Sequence, residues 1–218
     1  MNIFRQLTEK PWLTPQSVAA APLLVHSVKS TKTKVGLWLF LSIVTVLFFL
    51  LIVAYAGRMT LEDWRPGPTF NLLWFNTLAL FGCSVAMQSA TDVARRGTVA
   101  NAWFSLLAGG LLALVFLLGQ LLAWLQLSGM SNFGLAIPAV AFFYLITGLH
   151  ALHIAGGLVA WSTTVAKMWA GDEPAKIRQS IELCTIYWHF MFGVWVVLFV
   201  LLFSGNNLSA VLAFCGLK

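Results

Sequence analysis

The sequence predicts an all-α, polytopic membrane protein: a bundle of five transmembrane helices with a cytoplasmic amino terminus and an external carboxyl terminus. Three observations carry this. First, 60% of the 218 residues are apolar and 9% are charged, where an ordinary soluble domain has about 25% charged. Second, the apolar residues form five runs, each long enough for the about 20 residues that cross about 30 Å of hydrocarbon. Third, lysine and arginine crowd into alternate loops. Together these exclude a water-soluble fold and a disordered chain. Cys83, Cys184 and Cys215 are scattered and form no C-x-x-C, which excludes a disulfide scaffold. In lipid only helices and closed barrels satisfy the backbone, and barrel strands would alternate over about ten residues. The runs do not alternate, so they are helices.

Residues 1–33 contain Pro11, Pro15 and Pro22 and are mixed in polarity, which predicts an extended or partly interfacial cytoplasmic arm. The transmembrane domain covers 34–204. Its first span, about 35–56, carries no charge and is too long and too far from Met1 for a cleaved signal peptide. Arg65-Pro66-Gly67-Pro68 then interrupts any helix. The second span covers about 70–91 and the third about 101–127. The fourth, about 135–166, is longer than a span needs and is expected to tilt or project. Pro138 opens it, where proline is tolerated. Gly171-Asp172-Glu173-Pro174 separates it from the fifth span, about 181–203, with Asp172 as N-cap of a short helix opening at Glu173-Pro174. Residues 205–218 form an external tail.

Orientation follows from the basic residues. Arg5, Lys10, Lys29, Lys32 and Lys34 precede the first span, Arg95 and Arg96 follow the second, and Lys167, Lys176 and Arg178 follow the fourth. The other side carries only Arg58, Arg65 and Lys218. Positive-inside places the first set in the cytoplasm. The net charge of +6 thus reflects topology rather than a nucleic-acid partner. Trp64 and Trp74 suit the outer aromatic belt and Trp169 the inner one.

Ionisable groups inside spans are the candidates for chemistry. His150 and His153, three apart, share a face of the fourth span. His189 lies in the fifth, with Glu182 two turns earlier on the same face. Two readings stand: a metal or haem site, or histidines hydrogen-bonded to neighbouring helices or lipid headgroups. Four histidines in all, with His26 in the arm, fall short of two b-haems, and no mid-span carboxylates offer a di-iron site. No cofactor or metal is therefore expected in this chain. A small transporter or lipid-handling bundle is the alternative class, although no internal repeat or midplane charge supports transport. Gly82, Ala86 and Ala90 on span two, and Gly148, Leu152 and Gly156 with Thr147, Ala151 and Ala155 on span four, read as helix-packing faces.

Four segments carry a resemblance. Thr147-Gly148-Leu149-His150-Ala151-Leu152-His153-Ile154-Ala155-Gly156-Gly157 resembles the T-G-x-H-x-x-H-x-x-G-G signature of subunit III of haem–copper oxidases. Glu182 through Trp188-His189-Phe190 to Trp195 resembles the family's E-x5-W-H-F-x4-W, Lys34-Val35-Gly36-Leu37-Trp38-Leu39-Phe40 its K-x-G-x-W-x-F, and Asn76-Thr77 with Ser84 and Met87 its N-T-x6-S-x2-M. The resemblance covers Lys34 to Phe203 and implies the family's five-helix short form. It further implies a bacterial inner-membrane subunit without redox groups, in a terminal oxidase that reduces O2 to water and pumps protons. Haem and copper would lie in partner subunits. The chain would pack on subunit I, beside subunit II and other respiratory subunits, bind phospholipid, support proton uptake and protect the catalytic centre during turnover. His150, His153, Glu182, Trp188 and His189 are then expected to form a lipid-binding or structural polar cluster between spans four and five. Trp38, Asn76, Gly148 and Trp195 are the expected subunit contacts. Two positions depart from the family: Val44 and Phe192 stand where it usually carries an acid.

Overall fold

A computed structural model describes residues 15–61, 64, 71–97, 99–129 and 137–203, with side chains from residue 32 onward. Residues 1–14, the Arg65–Pro68 turn and the tail from residue 204 lie outside the described residues. Five long α-helices result: α1 (Pro15–Met59), α2 (Leu72–Arg95), α3 (Ala102–Ser128), α4 (Pro138–Trp169) and α5 (Pro174–Phe203). Each contains a stretch long and apolar enough to cross a membrane, and no strand occurs among the described residues.

Two compact units divide the chain, residues 1–40 and 41–218. In the first, residues 15–31 are helical rather than extended, the extended form being one of the two expected for the arm. Pro15 stands at the first helical position, where a missing N–H costs nothing. Ala19-Ala20-Ala21 and Leu23-Leu24 around Pro22 are strong helix formers.

In the second unit α2, α3, α4 and α5 close a ring, each packed against the next and α5 against α2. Every neighbour is antiparallel. Asn76 meets Gln120, Trp161 meets Leu106, Trp195 stacks on His150, and Thr77 pairs with Trp195 as Arg95 pairs with Glu182. The part of α1 beyond residue 40 joins this ring through aromatic rings: Phe48 against His150 and His153, and Tyr55 against Phe142. Only 17% of the most apolar window of α1 is buried, against 39% to 44% in the other helices.

Helix ends have local causes. The carbonyl of Ile137 accepts from the Val140 and Ala141 N–H groups, with Pro138 at the first helical position. Gly171, at φ +71°, ends α4. Asp172 N–H donates to the Lys167 carbonyl and Gly171 N–H to that of Met168, a Schellman pattern. Asp172 is thus part of a C-terminal cap rather than an N-cap. The carbonyl of Glu173 opens α5, which runs unbroken from Pro174, so no separate short helix precedes it.

Small residues face inward and large ones outward. The buried face of α3 repeats as Leu106, Gly109/Gly110, Ala113, Phe116, Gly119/Gln120, Ala123 and Leu127, while Leu111, Leu118 and Leu125 are exposed. Lipid is as apolar as leucine, so association rests on close packing rather than on a hydrophobic drive. The glycines allow that closeness. A Cβ on Gly110 would overlap the Trp161 indole, one on Gly119 would overlap Asn76 Oδ1, and one on Gly157 would crowd the Tyr187 ring. The Gly148–Leu152–Gly156 face, by contrast, points away from the ring: Leu152 is 66% exposed and a Cβ on Gly156 would meet nothing.

Candidate functional site

A polar ladder joins α2 to α5. Trp195 Nε1–H donates to Thr77 Oγ1 at 3.0 Å. One turn nearer the Arg95 end, Phe81 packs on Phe192. Next, His189 takes both ring nitrogens to α2: Nε2 lies 3.1 Å from Gln88 Oε1, and Nδ1 bonds Ser84 Oγ. An amide oxygen only accepts, so Nε2 carries the proton and Nδ1 accepts from the serine hydroxyl. Gln88 Nε2–H continues to Asp92 Oδ1 at 3.0 Å. Thr91 donates to Thr185 at 2.7 Å, and Thr185 donates to the Met87 carbonyl at 2.9 Å. Arg95 and Glu182 close the ladder with a 2.6 Å ion pair. The arginine side chain is 57% exposed, so the pair contributes at most about 1 kcal/mol.

His150 is enclosed differently. It is fully buried, stacked on Trp195 (centroids 5.2 Å apart) and edged by Phe116 (5.7 Å) and Phe48 (6.1 Å). Neither ring nitrogen has a hydrogen-bond partner. The other buried polar groups at this depth pair across the ring. Asn76 Nδ2–H donates to Gln120 Oε1 at 3.3 Å, and Thr147 Oγ1 accepts from Trp124 Nε1–H at 3.0 Å. An unpartnered buried polar group costs about 1–3 kcal/mol, and an apolar side chain of similar shape avoids it. His150→Leu is therefore expected to leave thermal stability unchanged or to raise it by about 1 kcal/mol, read from the melting temperature of the purified protein. A marked loss of stability would mean that His150 makes a polar contact the cage does not reveal.

Between α1 and α5 opens a cleft of about 360 Å³, walled by Thr45, Phe48, Phe49 and Ile52 on one side and by Phe190 and Val194 on the other. Thr45 Oγ1–H is bonded back to the Leu41 carbonyl at 2.8 Å, which leaves the cleft apolar. Phe48 is shared by the cleft wall and the His150 cage.

The expected cluster between spans four and five is parted. His150 and His153 both touch Phe48, but His153 Nδ1 bonds its own helix at the Leu149 carbonyl (2.7 Å) and Tyr187 OH donates to the His153 carbonyl. His189 and Glu182 turn to α2 instead. Trp188 is 1% exposed, lies against Gly157 and leaves its indole N–H unpartnered. Of the expected subunit contacts, Asn76 and Trp195 are each 0% exposed, so no neighbouring subunit reaches them. Gly148 is half-buried near Trp124, and Trp38 is exposed. Val44 is buried without any polar function, and Phe192 packs on Phe81. Sequence reasoning grouped His189 with His150, His153, Glu182 and Trp188 and missed Ser84 and Gln88 as its partners; Gln88 and Asp92, polar and one turn apart on α2, were the available signal. Among the described residues no three of His, Cys, Asp or Glu lie together as a metal site. The geometry offers hydrogen bonding and apolar burial, and the Ser84–His189 contact is one link of the hydrogen-bonded ladder.

No family model matches the chain. Curated relatives do. It is 32% identical over 191 residues to the probable cytochrome c oxidase subunit 3 of Mycobacterium tuberculosis, covering 82% of this chain and 91% of that one. It is 30% identical over 179 residues to the cytochrome c oxidase subunit 3 of Thermostichus vulcanus, covering 77% and 85%. With that of Synechocystis it shares 29% over 180 residues, covering 77% and 73%.

Proposed function

The chain belongs to the cytochrome c oxidase subunit III family, and from that premise we propose that it is a non-catalytic subunit of a proton-pumping terminal oxidase. It lies in a bacterial inner membrane with its amino terminus in the cytoplasm, packs on subunit I and leaves haem and copper to partner subunits. The observation that carries this reading is the likeness to the mycobacterial subunit across 82% of the chain. The histidines of the motifs fit it: His189 is spent on Ser84 and Gln88, and His150 is enclosed by Phe48, Phe116 and Trp195.

The apolar cleft between α1 and α5 has the character to take an acyl chain of a phospholipid. Arg95, Arg96, Lys167, Lys176 and Arg178 at the cytoplasmic ends suit anionic headgroups. Support for proton uptake acts through this charged end, because Val44 and Phe192 remove the span carboxylates.

Purification of the membrane complex through this chain tests the reading. Haem- and copper-bearing subunits are expected to co-purify, and the separated chain is expected to show no Soret band and no bound metal. A stoichiometric Soret band or bound copper on the separated chain would overturn it.

A further inference from the structure

The outward face of α2 changes character along its length. From the Leu72 end it shows Trp74, Phe75, Leu78, Phe81 and Val85, all exposed apolar side chains. Then it turns polar: Gln88 and Ser89 are exposed, and the exposed His189 of α5 stands beside them. Gln88 is seven residues inside Arg95, about 10 Å along the helix, too far for a short side chain to reach the interface. The other outward faces at comparable depth carry aliphatic side chains such as Ile43 and Val46 on α1, Leu111 on α3 and Val159 on α4, and hydroxyls such as Thr45, Ser162 and Thr163 that are bonded back to their own helix, with no amide or imidazole among the described residues.

The polar strip keeps bonding capacity to spare. Gln88 uses one amide hydrogen on Asp92 and its carbonyl on His189, so one N–H remains. Ser89 Oγ–H is committed to the Val85 carbonyl, and its oxygen can still accept. Imidazole and amide groups turned toward hydrocarbon are costly, and such groups in spans ordinarily face protein or water. Acyl chains offer no hydrogen bond, so the occupant that suits this strip is protein.

We propose that the Gln88–Ser89–His189 strip is the surface through which this subunit docks on the oxidase core, against a transmembrane helix that presents a hydrogen-bonding side chain at that depth. This rests on the oxidase reading above and names the face that serves it. The strip continues into the Arg95–Glu182 pair at one end and the aromatic Phe81–Phe192 contact at the other. A partner helix along it would thus meet ionic, polar and aromatic side chains in order.

Photo-crosslinking in the intact membrane complex tests the proposal. Ser89→p-benzoylphenylalanine and Val85→p-benzoylphenylalanine are compared with the same replacement at Leu152 and Leu111. The strip positions are expected to yield adducts with another oxidase subunit at least tenfold above the controls. Gln88→Leu, at an exposed position, is expected to lower retention of the chain in the purified complex by about tenfold while its helix content is unchanged. Adducts confined to lipid or to a second copy of this chain, or subunit adducts at Leu152 or Leu111 instead, overturn the proposal and leave the oxidase reading intact. Failure of any oxidase subunit to co-purify overturns both.

Discussion

Trp195→Ala is expected to be among the most damaging single changes to the bundle, at about 3 kcal/mol. Trp195 has no exposed surface, stacks on His150, receives the edge of Phe116 at 4.8 Å and donates to Thr77. In water such a truncation loses both transfer energy and packing. In a membrane the transfer part is small, because the separated helix would lie in lipid as apolar as the core. The cavity part remains: a void on the order of 130 Å³ at about 24 cal/mol per Å³ gives about 3 kcal/mol. Trp195→Phe keeps most of the volume and loses only the Thr77 bond, for which about 0.6 kcal/mol is the typical size within membranes. Denaturant or thermal melts of the purified chain in detergent check both. Equal stability of the alanine variant and the parent would show that this layer does not hold the ring together.

Gly110→Ala should lower stability by about 1–3 kcal/mol, whereas Gly109→Ala, one residue away, should cost clearly less, because about 1 kcal/mol of helix propensity offsets the shift of a flexible neighbour. At Gly110 the new methyl would overlap the Trp161 indole, which is held by its own bond to the Leu106 carbonyl at 2.8 Å. At Gly109 it would meet the Cε, Sδ and Cγ of the buried Met87, a flexible thioether that can shift more readily than an indole. The same melts read the contrast. An equal response at the two positions would mean that the α3–α4 approach is looser than the indole contact requires.

The helices of the ring were legible in the sequence because length and apolarity alone define a span. Predicted and observed ends of α3 differ by a single residue, about 101–127 against Ala102–Ser128. At the start of α5 a short helix opening at Glu173-Pro174 was expected apart from the span, because Pro174 to Ser180 are polar and carry Lys176, Arg178 and Gln179, although the helix is continuous. The arm misled for the opposite reason. Its prolines suggested an extended or partly interfacial segment, yet residues 15–31 are helical and Pro15 stands where a helix tolerates it.

The site was legible as residues and illegible as pairs. Glu182 and His189 were read correctly as sharing a helical face, but the face was assigned to α4. In water an apolar stripe would have fixed the rotation of α5 about its axis. In lipid both sides of a helix are apolar, and the only rotational signal is small residues inside with polar groups paired. Ser84, Gln88, Asp92 and Arg95 on α2 supply those partners. His150 was singled out by its motif, whereas its cage draws on Phe48 and Phe116, which no local pattern marks.

The most direct measurement compares the oxidase complex with and without this chain, recording the initial rate of O2 reduction and the half-time of inactivation during turnover. A subunit that leaves the redox chemistry to its partners, as proposed, with Val44 and Phe192 in place of span acids, is expected to leave a substantial initial rate in the depleted complex while its inactivation becomes several-fold faster. Loss of the initial rate with the haems of the catalytic subunit intact, or an unchanged half-time, would contradict the account.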